Sequence, residues 1–309
     1  MSRRIEIVDV GPRDGLQNEA VALGVEERLE FIGRLESAGV RRLEAVSFVN
    51  PRRVPQMAGA EEIMAALPHE AGRSRIGLVL NLRGWERLKA TSCDEANVVV
   101  CANDSFGLRN QNADTAQQIE AMAEVARDQA TNGGPPLSLT ISVAFGCPFE
   151  GEVPLDRVVS IAREAAALGV PEIAIADTIG AADPWAVRRR VEAVRAAAPD
   201  ARLRLHFHDT RNTGLANAAA GVDAGVDVLD ASCGGIGGCP FAPKATGNVA
   251  TEDLVFMLER GGFETGLDLD ALIETGRWIN ARLGRAAASA LSRAGRFPKP
   301  RTKAAGAAA

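Results

Sequence analysis

An alternation repeated eight times constrains this chain more than any other feature. Short β-branched runs occur at 5–10, 43–46, 76–80, 97–100, 137–143, 173–176, 203–207 and 226–229. Longer segments follow them, and 26–38, 115–129, 155–168, 185–198 and 214–224 carry apolar residues at spacings of three and four. That period belongs to helices with one packed face. Strands alternating with helices make a parallel sheet covered by helices. Eight such units predict an α/β fold, a single (β/α)8 TIM barrel. An open doubly wound sheet shares the pattern, but no G-x-G-x-x-G follows the first run, which weakens its dinucleotide-binding form. Residues 268–283 read as an additional C-terminal helix. The barrel domain is placed at 1–285 and a C-terminal extension at 286–309. That extension carries Arg296, Lys299, Arg301 and Lys303 among prolines, then an Ala-rich end. It reads as a flexible solvated tail or as a phosphate-grasping one.

The charge is nearly balanced, with 35 Lys+Arg against 40 Asp+Glu. A nucleic-acid partner would need a basic face, so none is expected. No apolar run approaches the roughly 20 residues of a membrane span. The start, Met1-Ser2-Arg3-Arg4, shows no signal-peptide core, which predicts a cytoplasmic protein. The five cysteines include no C-x-x-C pair, against a disulfide framework or a zinc knot. Cys93, Cys101, Cys147 and Cys233 read as small buried hydrophobes.

Barrel enzymes carry their chemistry at the C-terminal ends of the strands. Polar residues collect there: Asp14, Glu44, Ser47, Asn81, Asn103, Asp177, His206, His208 and Ser232. In Arg204-Leu205-His206-Phe207-His208-Asp209, alternation puts both imidazoles on one face, towards the lumen. They read as divalent-metal ligands or as hydrogen-bonded structural histidines. His69 reads as a surface loop residue. Gly11-Pro12-Arg13-Asp14-Gly15 reads as a tight turn. It sets a donor fork for an oxyanion beside a carboxylate for a hard cation, or simply a local salt bridge. The run 234–238 is four-fifths glycine and leads into Cys239, either a proton-carrying loop thiol or an incidental small residue.

Together these segments resemble the 3-hydroxy-3-methylglutaryl-CoA lyase family, within a wider group of metal-dependent barrel enzymes. Gly11–Glu19 in G-P-R-D-G-L-Q-N-E, Glu44 to Pro51, Gly146-Cys147-Pro148-Phe149-Glu150-Gly151, Asp177-Thr178-Ile179-Gly180, His206 to Thr210 and the stretch 234–253 carry the likeness. The resemblance implies metal ligands at Asp14, His206, His208 and Asn248. It implies a catalytic arginine at Arg13, a catalytic cysteine at Cys239 and further active-site acids at Glu44 and Asp177. The implied cofactor is Mg²⁺ or Mn²⁺, the partner an acyl-CoA substrate, and the assembly a homodimer. The implied reaction is a retro-Claisen-type cleavage of 3-hydroxy-3-methylglutaryl-CoA to acetyl-CoA and acetoacetate.

Two loops depart from the family pattern. One runs from Asn103 to Asn112. The other places Arg211-Asn212 after His206-Phe207-His208-Asp209-Thr210, where the family has Tyr-Gly. Arg211 reads either as a partner for an extra substrate carboxylate or as a salt bridge near Asp209. The acyl group is thus open to a sister substrate such as citramalyl-CoA or a longer branched 3-hydroxyglutaryl-CoA. A condensing enzyme of the isopropylmalate-synthase group is a further alternative. Arg52 and Arg53 read as CoA contacts or as surface charges.

Overall fold

Side-chain parity along eight strands decides what the centre of this molecule holds. The computed structural model describes residues 2–238 and 247–298. The strands are β1 (Glu6–Asp9), β2 (Arg42–Ser47), β3 (Ser74–Val79), β4 (Glu95–Cys101) and β5 (Leu137–Ser142). A two-stranded antiparallel hairpin, β6 (Gly146–Cys147) and β7 (Gly151–Glu152), follows. The remaining strands are β8 (Glu172–Asp177), β9 (Arg202–Phe207) and β10 (Val228–Ala231). All but the hairpin pair in parallel and close in the order β1-β10-β9-β8-β5-β4-β3-β2. The expected (β/α)8 barrel is therefore present.

Outward positions such as Leu139, Ile141, Ile173, Ile175, Leu203 and Leu205 are fully or nearly buried against the helices. Those helices are α1 (Val25–Ser37), α2 (Ala60–Ala65), α3 (Leu82–Lys89), α4 (Asp104–Gln111), α5 (Thr115–Asn132) and α6 (Leu155–Ala167). After them come α7 (Pro184–Ala197), α8 (Gly214–Asp223), α9 (Thr251–Arg260), α10 (Leu269–Arg282) and α11 (Ala290–Ala294). Burying each such aliphatic side chain contributes roughly 1.5–3 kcal/mol. The inward positions differ. A small apolar cluster of Val8, Val10, Ile76 and Val228 shares the lumen with buried Arg42, Glu95, Glu172 and Arg204.

The last strand lies two residues beyond its sequence-based placement at 226–229, and the cause is a helix stop. Gly225 takes φ +86°, and the Val226 N–H donates to the Gly221 carbonyl at 3.0 Å. This is a Schellman closure, in which the residue after a left-handed glycine packs back on the helix. Gly39-Val40 and Gly169-Val170 end α1 and α6 in the same way. Val226 is thus a helix anchor.

The segment from 286 was expected to leave the barrel as a tail. Its first part instead folds back as α11. Asp253 accepts the Ala290 and Leu291 N–H groups at 2.7 and 2.8 Å, Leu291 is buried, and Ser292 donates to Glu252 at 3.0 Å. Residues 299–309, with Lys299, Arg301 and Lys303, lie outside the described residues. No described helix is long and apolar enough to cross a membrane.

Candidate active site

The segment Gly11–Gly15 forms a wide turn, not a tight one. The Gly15 N–H reaches the Val10 carbonyl five residues back, at 3.0 Å. Single π turns of this kind recur at functional sites. The turn lays Arg13 and Asp14 over the end of the barrel. It also meets the glycine-rich segment after β10. Gly237 has φ +100°, and a Cβ there would stand 2.8 Å from the Gly15 Cα and 2.7 Å from the Asn248 Nδ2. Glycine is required by both the backbone and the approach.

His206 and His208 extend from β9 on the inward face, with ring centroids 5.3 Å apart. Each Nε2 lies 3.9 Å from the Asp14 Oδ2. Asp14, His206 and His208 can present ligand atoms all within 4.8 Å of one another. Asn248 pairs beside His208 through an isolated bridge. Its Nδ2 donates to Asp14 Oδ2 at 2.9 Å and to the Ile236 carbonyl at 3.0 Å. Its Oδ1 is buried without a hydrogen-bond partner. An orphaned amide oxygen beside two imidazoles and a carboxylate fits a divalent cation, whose ligands are such oxygens and nitrogens.

The other side of His206 is also fixed. Its Nδ1 lies 3.2 Å from Asp230 Oδ2, and a carboxylate there sets the tautomer and aims Nε2 at Asp14. Burial opposes a charge on His206, but the Asp230 hydrogen bond and Asp14 outweigh it and raise its pKa. Burial and the neighbouring His206 charge bring His208 down to about 4, so it stands ready as a neutral ligand. Burial also works against the Asp14 charge. Arg13, both imidazoles and the Asn248 amide overcome it and hold Asp14 well below the usual carboxylate range.

Arg13 donates from Nε to Glu44 Oε2 at 2.6 Å and from Nη1 to Asp14 Oδ1 at 2.9 Å, and its Nη2 pairs with Glu44 too. Glu44 Oε1 accepts from Asn97 Nδ2 at 3.0 Å. The salt-bridged turn and the polar pocket are therefore one object. The pocket is lined by apolar Leu78, Leu80, Val99 and Phe106 and by the hydroxyls of Thr140, Ser142 and Thr178, with Thr140 beside Val99 on the neighbouring strand.

Asp14, Arg13, Glu44, His206, His208 and Asn248 thus come together. Asp177 does not join them. It shares the outward parity of Ile173 and Ile175, and its oxygens accept the Ala181 and Ala182 N–H groups at 2.8 and 2.9 Å. Its expected place among the active-site acids is corrected to a loop-holding one. Asn81 and Asn103 cap α3 and α4, so part of the polar clustering at strand ends is helix capping. Arg211 donates to the Ile179 and Gly180 carbonyls at 2.9 and 2.8 Å, and it lies neither on the pocket wall nor on Asp209. His69 is exposed, as expected, and pairs with Asp94. Arg52 and Arg53 are exposed. Cys239 lies outside the described residues. Asp230 and Asn97 were missed as site residues. Parity with Val228 and Ser232 would have found Asp230 had the last strand been carried past 229.

A parallel barrel with a histidine pair, an aspartate and a guanidinium at the carboxyl ends of its strands defines a class of barrel enzymes with a candidate metal centre. The HMGL-like family model matches residues 4–279, and the chain belongs to that family. An (R)-citramalyl-CoA lyase of Chloroflexus aurantiacus is 43% identical over 94% of this chain and 95% of its own length. A hydroxymethylglutaryl-CoA lyase of Pseudomonas mevalonii is 41% identical over 91% of this chain and 93% of its own. The solved structure of an HMG-CoA lyase from Acinetobacter baumannii, in complex with coenzyme A and 3-methylmalate, superimposes with a TM-score of 0.90 at 37% identity. It covers 96% of this chain and 98% of that one.

Proposed function

We propose that this protein is a carbon–carbon lyase that cleaves 3-hydroxy-3-methylglutaryl-CoA to acetyl-CoA and acetoacetate with Mg²⁺ or Mn²⁺. The observation carrying this reading is the convergence of Asp14, His206 and His208 with the Arg13 guanidinium on one pocket. Asp14, His206, His208 and Asn248 would hold the cation, which supplies Lewis-acid polarisation of the substrate's hydroxyl and carboxylate oxygens. As the hydroxyl proton passes to water in the open pocket, the C2–C3 bond breaks and its electron pair passes into the thioester as an enolate. Arg13, held by Glu44 and Asp14, stands to stabilise that oxyanion. Cys239 is the proposed proton donor to C2. The Acinetobacter relative with bound coenzyme A supports the acyl-CoA class of substrate.

A second reading, cleavage of citramalyl-CoA to acetyl-CoA and pyruvate, is favoured by the 43% identical relative. Among the described pocket-lining residues the only guanidinium is Arg13, which Glu44 and Asp14 already engage. The substrate's carboxylate is left to the metal centre and the wall hydroxyls, and either acyl group meets that condition. Purified protein with Mg²⁺ should release acetoacetate from the first substrate faster than pyruvate from the second. The reverse ranking would move the assignment to citramalyl-CoA. No cleavage of any 3-hydroxyacyl-CoA would end both readings.

A further inference from the structure

The barrel floor carries charges that the cleavage reaction does not use. Arg42 donates to Glu95 Oε1 at 2.6 Å and to Glu172 Oε1 at 2.7 Å, and all three are buried. Glu172 Oε1 lies 3.4 Å from the Arg204 Nε, and that Nε lies 3.5 Å from Asp230 Oδ1. Asp230 then meets His206 at 3.2 Å. On the opposite wall, Glu44 meets Asn97, and Ser138 touches Asn97 at 3.5 Å and donates to Glu95 at 2.7 Å. With Arg13 joining Glu44 to Asp14, the contacts close into a ring that passes from the metal centre down one wall, across the floor and up the other.

The charges of that ring do not cancel. Arg13, Arg42 and Arg204 face Asp14, Glu44, Glu95, Glu172 and Asp230, so five acids stand against three guanidiniums in the ring. Glu6 also approaches Arg42, but at the rim half-exposed Arg202 balances it. Charge uncompensated in a low-dielectric interior acts over many ångströms. The Arg204 position is two strand residues, roughly 7 Å, from His206.

We propose that the floor residues Glu172, Glu95 and Arg204 are positioning residues that set the affinity of the metal centre through the charge they leave in the lumen. The proposal rests on the metal-site reading but not on the identity of the substrate. It carries a sign that a merely structural role lacks. Removing a floor acid lowers the attraction for a dication, and removing a floor cation raises it.

The test is a titration of chelator-stripped full-length protein with Mn²⁺ alone, following free Mn²⁺ by electron paramagnetic resonance. Glu172→Gln should weaken binding by about tenfold, and Arg204→Met should tighten it severalfold. The double variant should return close to the parent, and Arg204→Lys should match it. Should either variant fail to fold by circular dichroism, Glu95→Gln repeats the acid-side change and Arg42→Met the cation-side one. If the acid and cation variants shift affinity in the same direction, or neither shifts it, the proposal is overturned. If the parent binds no Mn²⁺, the metal-site reading falls and this one with it.

Discussion

Arg13 is the point at which two carboxylates and an open pocket meet. Its charge is already matched by Glu44 and Asp14, so its further work lies with a third, developing negative charge. Arg13→Met should lower kcat by on the order of 10²-fold or more. Steady-state kinetics with near-parent turnover would remove it from that role. Asp9 shows a different residue-scale effect. It is fully buried outside the lumen and accepts from Gly11, Cys233 and Thr251. Burial pushes its carboxyl up to about 7 against those three donors, with Glu252 adding to the rise. Between the ordinary value of 3.8 and about 7 the folded state holds more protons than the unfolded chain. Stability from this group is therefore lost as pH rises through that window, by up to about 1.4 kcal/mol per unit, and is level above it. Thermal melts from pH 5 to 8 should fall less steeply for Asp9→Asn; equal slopes would clear Asp9. The chain could disclose His206, His208 and Asp14 because motif and parity are local. It could not disclose Asp9, whose partners Cys233 and Thr251 lie more than 220 residues away.

Elements show the same division. Helix stops and strand alternation are written in neighbouring residues, so α1 and α5 to α8 were legible to within a few positions. The short α2, α3 and α4 and the β6–β7 hairpin were not, because too few turns leave no period to read. The described first part of the C-terminal extension departs from the expected tail because its anchors sit elsewhere. Glu252 accepts both the Gly234 N–H and the Ser292 hydroxyl, and Asn280 donates to the Gly234 carbonyl. Arg285 pairs with Glu19, which accepts the Gly237 N–H. Helix α11 and the glycine segment beside the metal centre therefore share supports. Removing residues 289–309 should lower stability by about 1–3 kcal/mol, from the lost Leu291 burial and Ser292 bond. It should reduce kcat while leaving Mn²⁺ affinity within a factor of two or so of the parent. A truncated chain with full turnover would show that the glycine segment holds its place without α11.

At the scale of the whole molecule, the barrel was the most legible feature. Eight apolar runs, each needing cover on its outer face, admit few closed arrangements. The lumen was the least legible, because its floor charges are single inward positions spread over separate strands. An excess of acids over guanidiniums inside a closed barrel also links folding to the cation. Saturation with Mn²⁺ at about 100 times its Kd should add about 2.7 kcal/mol to stability. That corresponds to a rise in Tm of several degrees. Calorimetry should show the rise in the parent, lose it with a chelator, and not find it in His206→Ala. A parent whose Tm ignores Mn²⁺ would place the cation elsewhere or nowhere.

The ring of contacts through the lumen also restricts how this lineage can drift. A floor position that changes alone strands a buried partner, at about 3–5 kcal/mol for a broken buried pair. A shared apolar replacement of Arg42, Glu95 and their neighbours would avoid that penalty. Relatives should therefore divide into those that keep the charged floor entire and those that have exchanged it as a set, with intermediate combinations rare.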